Sequence, residues 1–170
     1  MTVHGAGKVA TASKGLPRTT LKESLQGAMF AENFIDCFKP SIPHLFKNGV
    51  RLAVNAGASD TEVLAKYVKQ MCEDEGCPMD VAWVEGDEVT EQVKRLSGQG
   101  EKFESLMHGK ELKDWGFEPL CAQAYLGGLG IAKAFEKGAQ IVICGRVADA
   151  APTIGGAAYV HFSLLRRNGY

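Results

Sequence analysis

VRLAVNAGASDTEVLAKYV, at residues 50–68, decides the fold of this chain of 170 residues. Its first seven residues, 50–56, form a short apolar run that is typical of a buried parallel strand. Gly57 ends the run, and Ser59 and Glu62 then stand three positions apart, just before apolar residues at helical spacing. That spacing predicts a capping box at the start of a helix. The stretch therefore predicts a strand that leads directly into a helix.

Two more apolar runs extend this pattern along the chain. VAWV at 81–84 predicts a second strand, and strand, helix and strand within about 35 residues form a right-handed parallel crossover. IVIC at 141–144 predicts a third strand of the same buried type, preceded by a predicted helix at 121–137 that Gly138 closes. We therefore predict an α/β fold: a partial doubly wound, Rossmann-like, mostly parallel sheet with flanking helices.

The other segments complete the predicted organisation. Helical spacing indicates helices at 21–38, 42–46 and 89–96, and another is expected to begin near residue 148 or 149. The polar, weakly periodic stretch 97–120 is long enough to indicate a functional lid or an insertion. The predicted domain occupies 19–158, between a loop or disordered arm at 1–18 and a tail at 159–170.

Composition excludes several classes of function. The formal net charge is −1 and the 19 basic residues are scattered, so no basic face for nucleic acid is expected. No stretch approaches the roughly 18 apolar residues of a membrane span, and no signal peptide is evident. The five cysteines are irregularly spaced, which indicates reduced thiols and a cytoplasmic location rather than disulfides or a zinc site.

Each predicted strand ends in a polar loop that contains glycine, and ligands of parallel sheets bind at such carboxyl ends. In the first loop, Asn55, Gly57 and Asp60 precede a helix start that favours a phosphate or carboxylate. The alternative is that Ser59 or Asp60 only caps its own helix. Neither a Walker sequence nor a complete GxGxxG is present, so those routes to nucleotide binding are not supported.

The second loop, EGDE at 85–88, places three carboxylates within four residues. Glu85 and Asp87 are the candidates here, since such a group suits a hard cation such as Mg²⁺ or supplies a general base. Solvated acids at a helix start are the alternative explanation. We predict Asp87 as a catalytic residue, with no dedicated metal set and no cofactor specified by the sequence.

The third loop, CGRVAD at 144–149, is the most suggestive of the three. Arg146 leaves the end of a buried strand and suits bidentate contact with a carboxylate or phosphate. Asp149 is the second candidate base or cation ligand, although an internal ion pair between Arg146 and Asp149 is the alternative. Cys144 closes an apolar run, which favours packing over a role as nucleophile.

These strings together resemble the N-terminal domain of the acyclic terpene utilisation family, in the form seen in fungal-type members. The resemblance covers about residues 36–158, and NAGASDT, EGDEV, YLGGLGIA and ICGRVADA are its most specific parts. It implies a place in the catabolism of acyclic terpenoids of the citronellol and geraniol type through acyl-CoA intermediates. An anionic acyl-CoA or related acid is therefore the expected ligand, held by Asn55, Gly57, Asp60, Glu85 and Arg146.

Compared with that family, the chain is expected to be truncated at both ends, with a first βαβ portion missing and a divergent segment after Ala157. A sheet without those strands exposes edges and apolar surface, so a homo-oligomer or the rest of a longer chain is the expected partner besides the small anion. The sequence leaves open whether the domain is an enzyme. The rival functions are a non-catalytic binding or scaffold subunit and a non-functional fragment.

Overall fold

The computed structural model describes residues 2–3, 25 and 27–167. Within them, four strands alternate with six α-helices and two short 3-10 turns. The strands are β1 (Thr2–Val3), β2 (Leu52–Val54), β3 (Val81–Val84) and β4 (Ile141–Cys144). The α-helices are α1 (Glu32–Phe38), α2 (Ile42–Asn48), α3 (Thr61–Asp74), α4 (Thr90–Gly98), α5 (Leu129–Glu136) and α6 (Ala151–Arg167), and the 3-10 turns are Lys39–Ser41 and Leu112–Asp114.

The four strands form one parallel sheet in the order β1-β3-β4-β2. Strand β4 lies between β2 and β3, so the crossover predicted from residues 50–84 joins two strands that are not neighbours. Ile141 pairs with Leu52 on one side and with Val81 on the other, so the three longer strands begin at the same level of the sheet. The predicted parallel α/β architecture is confirmed.

Helices cover both faces of the sheet because β4 is apolar at every position and its side chains alternate between the faces. Ile141 and Ile143 pack with α3 and with Phe38 of α1. Val142 and Cys144 pack on the opposite face, with α5 as their main helical partner. Two apolar cores therefore sandwich the sheet, as in doubly wound proteins.

Helices α5 and α6 pack together through glycine. A Cβ atom added to Gly155 would lie 2.6 Å from the carbonyl oxygen of Gly128 and 2.7 Å from Cβ of Ile131. Backbones can approach this closely only where side chains are missing. This contact fixes α6 after the β4 loop, beside one edge of the candidate site.

Three predicted helices differ in their bounds. The helix expected over 21–38 is interrupted, since Gly27 adopts a φ of 77° and α1 begins only at Glu32. The capping box at Ser59 is wrong, because Asp60 occupies the N-cap position and α3 begins at Thr61. The helix expected over 121–137 is also wrong in its first half, where residues 121–128 are not helical and α5 begins at Leu129.

The remaining predicted segments concern the two ends and the 97–120 stretch. Thr2 and Val3 pair with β3 where a loop was expected, and the other residues of the predicted arm at 1–18 lie outside the described residues. Helix α6 runs through 159–167 of the predicted tail, and 168–170 again lie outside. Beyond the end of α4, the only regular element in the 97–120 stretch is the 3-10 turn Leu112–Asp114.

Candidate functional site

The loops that follow β2, β3 and β4 lie at one rim of the sheet. Val54 pairs with Ile143, and Val84 pairs with Cys144, so the three strands end level with one another. Because all three are parallel, their carboxyl ends open on the same side. The location on which the sequence-based site depends is therefore present.

Two glycines allow the first and third loops to touch. The backbone N–H of Gly57 donates to the carbonyl oxygen of Cys144 at 2.9 Å. A Cβ on Gly145 would lie 2.9 Å from Oγ1 of Thr61 and 3.0 Å from Oδ1 of Asp87. All four of the residues Gly57, Thr61, Asp87 and Gly145 are buried, so they form the floor of the site and leave no room for larger side chains.

Asp87 joins the second loop to the third. Its side chain is 5% exposed, and Oδ2 accepts a hydrogen bond from the backbone N–H of Arg146 at 3.0 Å. A buried carboxylate that accepts a backbone N–H is a strong charge-assisted contact. Asp87 therefore holds the backbone of Arg146, whose side chain lines the pocket described below.

The other two acids of the second loop have different partners. Glu85 accepts a hydrogen bond from Nε1 of Trp83 at 3.1 Å. Glu88 is buried, and its Oε1 accepts from the backbone N–H of Thr90 at 3.0 Å, where α4 begins. The three carboxylates thus diverge, and the described residues contain no group of three or more His, Cys, Asp or Glu suited to a metal ion.

A pocket of about 160 Å³ opens between the first and third loops. Its lining is mostly polar or small: Asn55, Ala58, Ser59, Gln123, Gly145, Arg146, Val147 and Asp149. Three of the predicted site residues, Asn55, Arg146 and Asp149, therefore meet around one cavity.

Arg146 presents an exposed guanidinium group to this pocket. Among the ion pairs of the described residues none joins Arg146 to Asp149, so the internal pair considered from the sequence is not formed. The guanidinium carbon lies 5.7 Å from the ring centroid of Tyr125, within cation–π range.

An extended segment, which we call the bridging segment (residues 121–126), connects the second and third loops. Ala124 donates its N–H to the carbonyl oxygen of Asp87 at 2.7 Å. At the other end, Leu126 donates to the carbonyl oxygen of Arg146 at 3.2 Å and accepts from Ala148 at 2.9 Å. These contacts place Gln123 in the wall of the pocket.

The other predicted binding residues lie outside the pocket lining. Asp60, at the N-cap of α3, is buried, and its Oδ2 accepts the backbone N–H of Met29 at 2.9 Å. Gly57 belongs to the floor, and Glu85 contacts Trp83 as described above. Cys144 is fully buried at the end of β4, and burial raises the pKa of its thiol to about 12. The position of Cys144 therefore agrees with the prediction that it packs in the core and is not a nucleophile.

The sequence of the chain matches a known protein family. The family model described as acyclic terpene utilisation family protein AtuA matches residues 12–162. The chain belongs to the acyclic terpene utilisation family. No curated protein and no solved structure matches the chain. Membership of the acyclic terpene utilisation family, indicated first by NAGASDT, EGDEV and ICGRVADA, is thus confirmed, and it indicates involvement in acyclic terpene utilisation.

Sequence reasoning missed Gln123, Tyr125 and the lining role of Ser59. Gln123 and Tyr125 were assigned to a helix, although the adjacent glycines Gly127 and Gly128 are a breaker that indicates an interruption. Ser59 was treated as a helix cap only.

No helix in the described part of this acyclic terpene utilisation protein is long and apolar enough to cross a bilayer.

Proposed function

We propose that the strand-end pocket binds the anionic head group of an acyclic terpenoid acid or of a related acyl-CoA. The single observation that supports this proposal is the exposed Arg146 guanidinium, which has no carboxylate partner among the described residues and faces a polar pocket. Family membership supports the terpenoid part of the ligand. A citronellol- or geraniol-derived acid has both the anionic group and the apolar chain that the proposal requires.

The size of the pocket limits what enters it. About 160 Å³ is below the roughly 300–1,000 Å³ of pockets that enclose whole drug-sized ligands. A carboxylate or phosphate group fits, whereas the remainder of the ligand extends past the pocket mouth. Asn55, Ser59 and Gln123 supply hydroxyl and amide groups that complement the guanidinium.

The two predicted catalytic acids take different roles in this proposal. Asp149 is exposed in the pocket lining, where it can accept a proton from a bound molecule or help to hold a cation. Asp87 is buried and bonded to the Arg146 backbone, so it acts as a positioning residue. If the domain is an enzyme, Asp149→Asn should abolish turnover while leaving anion binding largely intact.

Thermal-shift measurements with matched acids and alcohols test the proposal. Citronellic and geranic acids should raise Tm, whereas citronellol and geraniol, which lack the charge, should not, because only a ligand of the folded state stabilises it. Loss of a hydrogen bond to a charged group costs about 1.5–3 kcal/mol, so Arg146→Ala should weaken binding roughly 10- to 150-fold. Arg146→Lys should retain part of the affinity because it keeps the charge without the planar fork.

Arg95→Ala is the matched control, since Arg95 is an exposed arginine on α4 outside the pocket lining. Equal loss of acid binding in Arg95→Ala and Arg146→Ala would contradict the proposed site. Equal Tm shifts with acids and alcohols would contradict an anion site altogether. Acyl-CoAs should be compared with free CoA, so that binding of the nucleotide part is distinguished from binding of the acid.

A non-catalytic binding subunit is the second candidate, and the surface of α6 favours it. Ile154, Val160 and Phe162 on α6 are each about half exposed, as is Leu164. Apolar side chains exposed together on one helix are typical of a surface covered by another polypeptide. Light scattering on the purified chain should then give a mass above one protomer, and Phe162→Ser should reduce it.

The cytoplasm is the proposed location because all five cysteines are free. A cooperative melt of residues 1–170 would argue against the remaining rival, a non-functional fragment.

A further inference from the structure

Helix α3 ends in a turn that brings two cysteines together. Cys77 donates its backbone N–H to the carbonyl oxygen of Cys72 at 2.9 Å, and Gly76 donates to Glu73 at 3.0 Å. Gly76 has a φ of 66°, in the left-handed region. These two nested bonds around a left-handed glycine define a Schellman motif at the end of the helix.

The motif has a known consequence for side chains. The residue three positions before the cap and the second residue after it commonly contact each other, and here these residues are Cys72 and Cys77. Both pack in the same apolar core, where Cys72 is fully buried and Cys77 is partly exposed. Both are free thiols, so the end of α3 carries two reduced cysteines that belong to one core cluster.

We propose that Cys72 and Cys77 form a reversible intramolecular disulfide when the chain meets a hydroperoxide. In the first step the sulfur of Cys77 attacks the peroxide, the O–O bond breaks, and an alcohol or water leaves. The resulting sulfenic acid is then attacked by the sulfur of Cys72, which forms the S–S bond and releases water. The dithiol loses two electrons and two protons, and the hydroperoxide accepts them.

The difference in burial between the two cysteines indicates which one attacks the peroxide and which one resolves the sulfenic acid. Cys77 is the more exposed of the two residues, whereas Cys72 is fully buried. Burial raises the pKa of Cys72 to about 11, with the neighbouring Cys77 and Glu73 adding to the rise and Lys69 opposing it. Cys72 therefore stays mainly protonated and is not the sulfur that attacks the peroxide. As the resolving thiol it gives up its proton while the S–S bond forms and water leaves.

The disulfide would lock the turn between α3 and β3. Thr61, at the other end of α3, belongs to the floor of the candidate pocket, so the bond would stabilise an element of the site without occupying it. Closing such a short loop should raise Tm by about 4–8 °C.

Peptide mapping of the full chain tests this directly. Trypsin releases residues 70–94 as one peptide that contains both cysteines and no internal Lys or Arg. After treatment with hydrogen peroxide and alkylation of the remaining thiols, that peptide should be unalkylated and lighter by two hydrogen atoms than its reduced form. Dithiothreitol should restore the reduced form.

Two sets of variants sharpen the result. Cys37→Ser with Cys121→Ser removes two exposed thiols and should leave the disulfide unchanged. Cys72→Ser should leave Cys77 to proceed to the sulfinic acid, because no resolving thiol remains. The proposal is overturned if wild-type Cys77 accumulates as sulfinic acid, or if it pairs with Cys37 or Cys121 while Cys72 stays reduced. Since this outcome is read in the wild-type chain, it does not depend on any variant folding.

Discussion

The carboxylate of Asp87 binds the backbone N–H of Arg146 at 3.0 Å across 59 positions of sequence. This bond joins the loop after β3 to the loop after β4 at the rim of the sheet. It also lies next to the pocket lining, because a Cβ added to Gly145, which lines the pocket, would lie 3.0 Å from Oδ1 of Asp87. The orientation of the Arg146 side chain thus depends on a buried acid that does not line the pocket.

Replacing Asp87 should therefore reduce both stability and anion binding. Asp87→Ala removes the acceptor and should lower the free energy of unfolding by about 1–3 kcal/mol, whereas Asp87→Asn keeps an oxygen and should cost less. Urea unfolding measures the first effect, and calorimetric titration with a terpenoid acid measures the second. Asp36→Ala, at an exposed acid on α1, is the control, and an equal loss of stability there would contradict the structural role of Asp87.

The strands could be predicted from sequence because their signal is local. VAWV and IVIC are confined, fully apolar runs, and both match the strand bounds to the residue. The first half of the predicted helix at 121–137 is wrong for the opposite reason. Residues 121–126 have helical composition, yet they pair with Glu88 and Val147, which are distant in sequence. Tertiary pairing overrides propensity there.

The candidate site also has one part that could be predicted from sequence and one part that could not. Convergence of the three loops follows from the parallel sheet alone, so the sequence is sufficient to group Asn55, Arg146 and Asp149. The partner of Asp87 could not be predicted. Its bond to Arg146 depends on β3 and β4 being neighbours, and strand order is not encoded in any local pattern.

The contact between α5 and α6 should be intolerant of any side chain at Gly155. Gly155→Ala places a Cβ against Gly128 and Ile131 and should destabilise the fold by about 1–3 kcal/mol. Gly156→Ala is a matched control in the same helix, because nothing lies within 4 Å of its added Cβ. That variant should be neutral or stabilising by roughly 0.5–1 kcal/mol, since alanine favours helix. Thermal unfolding of both measures the difference, and equal Tm values would contradict the close packing.

Cys144 should be unreactive in the folded chain although it lies beside the pocket floor. Burial raises the pKa of its thiol to about 12, so the thiol stays protonated at pH 8 and alkylating reagents cannot reach it. Cys37 and Cys121 are exposed and should be modified first by iodoacetamide. Mass spectrometry of native and urea-unfolded samples checks this order. Rapid labelling of Cys144 in the native state would contradict this prediction and would make Cys144 a candidate nucleophile.

The long segment after α4 has its own pH dependence, centred on Glu111. Hydrogen bonds from Lys102 and Lys113, whose Nζ atoms lie 2.8 and 2.7 Å from its oxygens, lower the pKa of Glu111 from 4.5 to about 2. Because the folded-state pKa is depressed, the pairs contribute fully above about pH 4.5 and are lost as the pH falls through 2.

A carboxyl-detected NMR titration should therefore give Glu111 a midpoint near 2 at low salt. Both lysines are exposed and Glu111 is only partly buried, so ionic strength should move that midpoint back toward 4.5, as should Lys102→Met combined with Lys113→Met. Lys110→Met is the control, since Lys110 has no ion pair with Glu111 among the described contacts, and it should leave the midpoint where it was. A midpoint near 4.5 in the unmodified chain would show that the two lysines do not hold this carboxylate in solution.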